Sequence, residues 1–159
     1  LLEFTRTMMW LRRDHPVLRR RRFFTGDARH GGESELGEIE WLTPAGESMT
    51  DQDWTTWYAR AMMVFLNGEA IAEPDERGQR IVDDSFLVLI NASDEDITFT
   101  LPGEGYAPTW KVALDTAPAV DGDSDPVLAA DDTVVVEARS MLFLIDAPES
   151  AATTERHPR

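Results

Sequence analysis

The 159-residue sequence predicts a mainly β domain, an antiparallel β-sandwich that is preceded by one α-helix. About seven short apolar or alternating segments follow residue 38, and turn residues separate them. Helical periodicity is confined to the start of the chain and to one short turn before the second of these segments. Runs of short strands without intervening helices are typical of sandwiches rather than of α/β folds.

The apolar pattern of the predicted helix already includes the first residue. Its apolar residues fall at i, i+3, i+7 and i+10 and form one face: Leu1, Phe4, Met8 and Leu11. Such a face must be buried, either by the rest of this chain or by a surface upstream of it. If that surface lies upstream, we expect the face to be partly exposed or to dock on the sandwich as a substitute. Pro16 ends the helix near Asp14, because proline disfavours helical backbone in the residue before it.

The predicted elements that follow are short. Residues 17–24 are a connector, residues 25–37 an exposed glycine-rich loop, and Thr50 can cap one helical turn over 51–54. The predicted strands are EIEWLTP from Glu38, then 61–66, 85–91, 97–101, 110–114, 134–137 and 141–146.

Three further stretches complete the predicted chain. Residues 117–132 are predicted to be a long loop, and 147–159 a disordered tail. The junction 138–140 is either a tight hairpin turn or a bend within one long strand.

Composition and charge exclude several classes of function. Residues 1–30 carry 8 Arg and 3 acidic residues, whereas the remainder carries 7 basic and 27 acidic residues. An acidic body disfavours binding to nucleic acid and to anionic membranes, and it suits a neutral ligand such as a sugar. No window approaches 18 apolar residues, so no transmembrane helix is predicted. Zero cysteine excludes disulfides and thiolate metal sites and fits a cytoplasmic protein.

Four blocks of the sequence carry a resemblance to a known family. They are LLEFTRTMMWLRRDHPVLRRRRFF, EIEWLTPAGESMTDQDW, MMVFLNGEAI and DDSFLVLINAS. In this order, over residues 1–146, they resemble the C-terminal part of bacterial glycogen debranching enzymes. These are isoamylase-like glucan hydrolases of the α-amylase superfamily. A leading helix that ends in LRRDHP, together with a downstream FLNG strand, makes the resemblance specific.

The resemblance implies a domain organisation. These enzymes have a (β/α)8 barrel followed by a C-terminal antiparallel β-sandwich. Residues 1–24 then correspond to the last barrel helix and its connector, the stub of a truncated catalytic domain. Residues 25–146 correspond to the C-terminal sandwich, and 147–159 to the tail. The upstream catalytic barrel is the implied partner of the orphaned helix face.

The resemblance also implies an activity for the parent enzyme, which hydrolyses α-1,6 branch linkages in glycogen or limit dextrin. A glycosidase needs two carboxylates that flank the scissile bond. In enzymes of this kind they lie on barrel strand ends within motifs such as G-F-R-x-D and N-H-D, and neither motif occurs here. We therefore predict no catalytic residue and no cofactor in this chain, which should be inactive alone and serve as a non-catalytic accessory sandwich.

Three aromatic residues are the candidate carbohydrate-binding site. Trp54, Trp57 and Tyr58 could stack on sugars, since aromatic rings pack on the apolar faces of pyranoses. The competing interpretation is packing in the core, which is also the prediction for Trp41 and Trp110 within their strand patterns. Exposed rings would favour an alternative function, that of a free-standing polysaccharide-binding module without catalysis.

Basic residues and metal-ligating residues are further candidates for a site. The Arg19–Arg22 run is either an anion or nucleic-acid patch or a connector beside an acidic domain, and the charge of that domain favours the connector. The scattered histidines (His15, His30 and His157) have no metal-ligand spacing. The DGDSD segment from Asp121 lacks the Gly and Glu that a calcium loop needs at its positions 6 and 12. No metal site is predicted.

Overall fold

A computed structural model describes residues 2–24, 36–56, 60–117 and 127–147, in which eight strands follow an N-terminal helix. Short 3-10 helices at Pro16–Arg19 and Gly68–Ala70 join some of these elements. In chain order the helices and strands are α1 (Leu2–Asp14), β1 (Ile39–Leu42), α2 (Asp51–Thr55), β2 (Ala61–Leu66), β3 (Phe86–Asn91), β4 (Ile97–Thr100), β5 (Thr109–Asp115), β6 (Val127–Ala129), β7 (Thr133–Val136) and β8 (Ser140–Asp146).

The strands form two antiparallel sheets. The larger sheet has the order β1-β2-β3-β8-β5-β6, and the smaller one pairs β4 with β7. Side chains of both sheets meet in one core, in which Phe99 and Val136 of the small sheet join Leu89 and Leu144 of the large one. Alternate residues of a strand point to this core, as Leu87 and Leu89 of β3 do. The prediction of an antiparallel β-sandwich is confirmed.

Helix α1 covers one end of the outer face of the large sheet. Leu11 and Val17 are buried there against Ile71 and Phe86. Of the predicted apolar face, Phe4 is half-buried, Met8 is exposed and Leu1 lies outside the described residues. Docking on the sandwich therefore buries only part of this helix. That α1 is the last helix of a barrel, and the domain boundaries that follow from it, stay predictions.

Strand β6 corrects the sequence analysis, which placed residues 117–132 in a loop. Val127–Ala129 pairs with β5 at the edge of the large sheet. A three-residue edge strand is too short to show alternation, which is why the pattern missed it. The preceding residues 118–126, which include Asp121, are not among the described residues.

The junction at 138–140 is a bend that moves the chain from one sheet to the other. Strand β7 pairs with β4, whereas β8 pairs with β3 and β5, so the two strands do not form a hairpin with each other. Arg139 makes this bend with a positive φ of 55°. The predicted loop from residue 25 and the predicted tail are described only at 36–37 and 147. Within the described ranges, no helix has both the length and the apolar character needed to cross a membrane.

Candidate functional site

Two tryptophans form an exposed pair at the edge of the large sheet. The rings of Trp41 in β1 and Trp54 in α2 lie 5.3 Å apart, centroid to centroid, at an interplanar angle of 74°. This edge-to-face arrangement is a favourable one for aromatic pairs. The side chains are 39% and 50% exposed respectively, so a ligand can reach both.

Local hydrogen bonds hold the two rings together. The backbone N–H of Met49 donates to the carbonyl of Trp41 at 2.8 Å, and Leu42 forms an isolated antiparallel β-bridge with Ser48. The chain therefore folds back along β1. Helix α2 then begins with a capping box, in which Thr50 and Asp53 satisfy each other's backbone N–H groups. Hydrogen bonds from Thr50 lower the pKa of the Asp53 carboxyl.

The exposed pair differs from the predicted aromatic site. Trp54 is exposed, which keeps it available for sugar stacking, but Trp57 and Tyr58 lie outside the described residues. Trp110 is fully buried in the core as predicted. The prediction that Trp41 is core is wrong. Leu42 points to the inner face of β1, so its neighbour Trp41 projects from the outer face of an edge strand.

A polar cleft of about 320 Å³ lies where β2 and β8 end, and it is lined by Asn67, Glu69, Ser85, Tyr106 and Asp146 among others. Burial raises the pKa of Asp146 to about 6. A hydrogen bond with the backbone of Ser85 opposes this shift, and the charges of Asp84, Glu69 and Asp83 add to it. Oδ1 of Asp146 is buried and receives no hydrogen bond from the described part of the chain.

The arginine run does not form one basic patch. Arg20 points into the sandwich, where its Nη1 lies 3.3 Å from Glu38 Oε2 and its Nη2 donates to the carbonyl of Asn67 at 2.9 Å. Both side chains of this ion pair are almost fully buried. Burial lowers the pKa of Arg20, and Glu38 and Glu73 counteract this effect. The neighbours Arg19, Arg21 and Arg22 are exposed, which supports the interpretation of this run as a connector.

One cluster with metal-ligating side chains escaped the sequence analysis because its members are far apart in the chain. Ligand atoms of His15, Asp83 and Asp84 lie within 4.8 Å of one another. Oδ1 of Asp83 accepts from the backbone N–H of Asp84 and lies 2.9 Å from His15 Nδ1, while Oδ2 accepts from the N–H of Val17. Both carboxylate oxygens are thus used by the protein itself, so the cluster fits a structural joint between α1 and β3.

Comparison with known proteins decides the family. The family model described as "Isoamylase, C-terminal" matches residues 38–148, which span all eight strands. The chain belongs to the isoamylase C-terminal family. Proteins named glycogen operon protein GlgX homolog, from Mycobacterium tuberculosis and Mycobacterium bovis, are 51% identical to it over 144 residues. The match covers 91% of this chain and 20% of each relative.

This member of the isoamylase C-terminal family thus spans about a fifth of the length of these curated relatives. The 144 matched residues exceed what residues 38–159 hold, so the similarity also covers part of the connector before β1. The resemblance to the C-terminal part of glycogen debranching enzymes is confirmed at the level of the family.

Proposed function

We propose that this chain is the accessory β-sandwich of a glucan hydrolase that cleaves α-1,6 branch linkages in glycogen or limit dextrin. The observation that carries the proposal is the 51% identity to proteins of a glycogen operon, which extends beyond the sandwich into the connector. The catalytic carboxylates belong to another part of the parent enzyme, and this chain has no turnover of its own. The parent acts in the cytoplasm, where glycogen is stored.

The partner of the sandwich is the catalytic barrel of the same enzyme, and helix α1 makes the contact. Three apolar side chains on the outward side of α1 support this: Leu2 is 67% exposed, Met9 69% and Trp10 53%. Exposed apolar side chains grouped on one helix mark a protein contact. The inward residue Leu11 is already buried on the sandwich, so α1 would be packed between the two domains.

The buried ion pair Arg20–Glu38 and the His15–Asp83 contact hold α1 at a defined position on the sandwich. A rigid connection of this kind suits a domain that stabilises its neighbour, because a flexible linker would not fix the position of α1 for contact with the barrel. The accessory role is therefore structural support of the barrel.

Reducing-sugar release from glycogen tests the proposal. The 159-residue chain alone should release no more sugar than a buffer control. A chimera in which this chain replaces the matching segment of the mycobacterial relative should debranch glycogen, whereas the relative without that segment should lose activity or solubility. Turnover by the isolated chain, or full activity of the shortened relative, would contradict the proposal.

The second candidate is a free-standing polysaccharide-binding module, which the exposure of Trp54 favours. This candidate predicts that the chain binds glycogen. It also predicts that the catalytic part of the relative is equally active with and without the chain. The two candidates therefore differ in whether removal of the chain changes catalysis.

A further inference from the structure

Helix α2 contributes nothing to the core of the sandwich. It is five residues long, and none of its residues is buried. Its structure comes from the capping box of Thr50 and Asp53, in which Thr50 N–H donates to Asp53 Oδ2 at 2.8 Å. What this helix does place is Trp54, whose ring it holds against the ring of Trp41.

The segment between the two tryptophans is organised to keep this contact. Thr43 N–H donates to the carbonyl of Glu47 at 2.7 Å, and Gly46 N–H donates to that of Thr43 at 3.0 Å. Gly46 has a positive φ of 84°, and a Cβ there would lie 2.9 Å from the carbonyl oxygen of Thr100, so this turn requires glycine. A site built on such a turn and on a sheet strand loses little conformational entropy when a ligand binds.

We propose that Trp41 and Trp54 form a binding site for a neutral α-glucan chain at the edge of the large sheet. The apolar face of a glucosyl ring packs on an exposed indole, and the acidic character of the chain outside residues 1–30 selects against anionic polymers. Indole rings suit this task because they offer a large, rigid apolar surface at low entropic cost. The choice of an α-glucan rests on the proposed function, whereas the existence of the site rests on the geometry of the two rings.

The site has a role beyond catalysis in the barrel. Because Trp41 projects from the outer face of β1 and both rings are accessible, a chain of glucose units can pass over them without entering a pocket. Such a surface holds one branch of a glycogen particle and raises the local concentration of its other branches near the active site.

Native gel electrophoresis of the 159-residue chain, in gels with and without glycogen, tests the site. We expect glycogen to retard the migration of the chain. Titration with maltoheptaose should rank the wild type and the variants in the same order of affinity as the gels do. Trp41→Ala and Trp54→Ala should each raise the dissociation constant at least about fivefold, since stacking on one aromatic ring is worth roughly this factor. Trp10→Ala is the matched control, because Trp10 is 53% exposed on α1 and should leave the binding unchanged.

Folding of each variant is checked by circular dichroism and thermal melting. Trp54→Ala should disturb folding less than Trp41→Ala, because α2 buries no residue and the sheet should fold without the Trp54 indole. Absence of retardation by glycogen, or an equal loss with Trp10→Ala and Trp54→Ala, would overturn the site. Retardation by hydroxyethylcellulose as strong as that by glycogen would overturn the choice of an α-glucan.

The chimera separates this inference from the proposed function. If glycogen does not retard the chain but the chimera debranches glycogen, the site is wrong and the accessory role stands. If glycogen retards the chain through Trp41 and Trp54 but the chimera gains no activity, the site stands and the accessory role is wrong.

Discussion

The imidazole Nδ1 of His15 lies 2.9 Å from Oδ1 of Asp83, a residue 68 positions later in the chain. The same carboxylate accepts the N–H of Val17 at the start of a 3-10 helix. One aspartate thereby fixes the end of α1, the turn after it and the segment that leads into β3. Because this side chain is almost fully buried, its hydrogen bonds gain strength from the low local dielectric.

Replacement of Asp83 should therefore destabilise the fold. We expect Asp83→Ala to lower the free energy of unfolding by about 2–3 kcal/mol, since it leaves the Val17 N–H and the imidazole without their acceptor. Urea denaturation measures the loss. Asp94→Ala is the control, because Asp94 forms an exposed ion pair with Arg60 at 3.7 Å, and such pairs contribute at most about 1 kcal/mol. Equal losses in the two variants would refute the role given to Asp83.

The buried pair Arg20–Glu38 should show strong coupling in a double-mutant cycle. Arg20→Met or Glu38→Gln alone removes one charge of the pair and leaves the other charge in the interior, at a cost of about 3–5 kcal/mol. The double variant should lose clearly less than the sum of the two single losses. Arg21→Met, at an exposed position of the same run, should change stability by less than about 0.5 kcal/mol. Additive losses at positions 20 and 38 would mean that the ion pair does not hold the connector.

Asp146 should make the fold less stable as the pH rises. Its pKa is about 6 in the folded chain against an ordinary value of 3.8, so the folded state binds this proton more tightly than the unfolded state. The contribution is favourable below about pH 4 and is lost as the pH rises through 6. We expect Asp146→Asn to stabilise the chain at pH 7, on the order of 1 kcal/mol after allowance for partial exposure, with no gain at pH 3.5.

Urea unfolding of wild type and Asp146→Asn at several pH values measures this difference. The neighbouring acids Asp83, Asp84 and Glu69 are present in both proteins, so the difference reports the Asp146 carboxyl together with its repulsion by their charges. Asp94→Asn, at an exposed site, controls for the loss of one charge from an acidic protein. A gain at pH 3.5 as large as that at pH 7 would contradict the assignment.

Gly68 should not tolerate a side chain. A Cβ at this position would collide with the backbone carbonyl oxygens of Asp83 and Asp84, which cannot move without disturbing β3. We expect Gly68→Ala to cost about 2 kcal/mol or more in thermal or urea unfolding. Gly105→Ala is the matched control, since no described residue lies within 4 Å of a Cβ there. A neutral Gly68→Ala would show that the two segments are less closely packed than the structure indicates.

Sequence patterns predicted the parts of this fold that depend on local order. The apolar segments at 85–91 and 141–146 located β3 and β8, and the Thr50 cap located α2. Patterns could not decide which side of β1 faces the core, because Trp41 and Leu42 are both apolar and the answer depends on the position of the strand in the sheet. For this reason Trp41 was predicted to lie in the core, and its contact with Trp54 was not predicted.

The charged contacts lay beyond sequence analysis for a similar reason. Arg20 and Glu38 are 18 positions apart, and His15 and Asp83 are 68 apart, so no helical or strand period connects them. An isolated arginine run reads as a solvated patch until its acidic partner is located in space. The identity of such partners is information that tertiary structure adds.

The position of β8 in the large sheet determines when this domain can fold during synthesis. β8 is the last strand of the described chain, yet it lies between β3 and β5 and pairs with both. Until residues 140–146 have left the ribosome, those two strands present unpaired edges, which are sites for aggregation. The domain therefore cannot complete its large sheet before β8 is made, and we expect premature termination before residue 140 to yield a substrate for chaperones and proteases rather than a smaller domain.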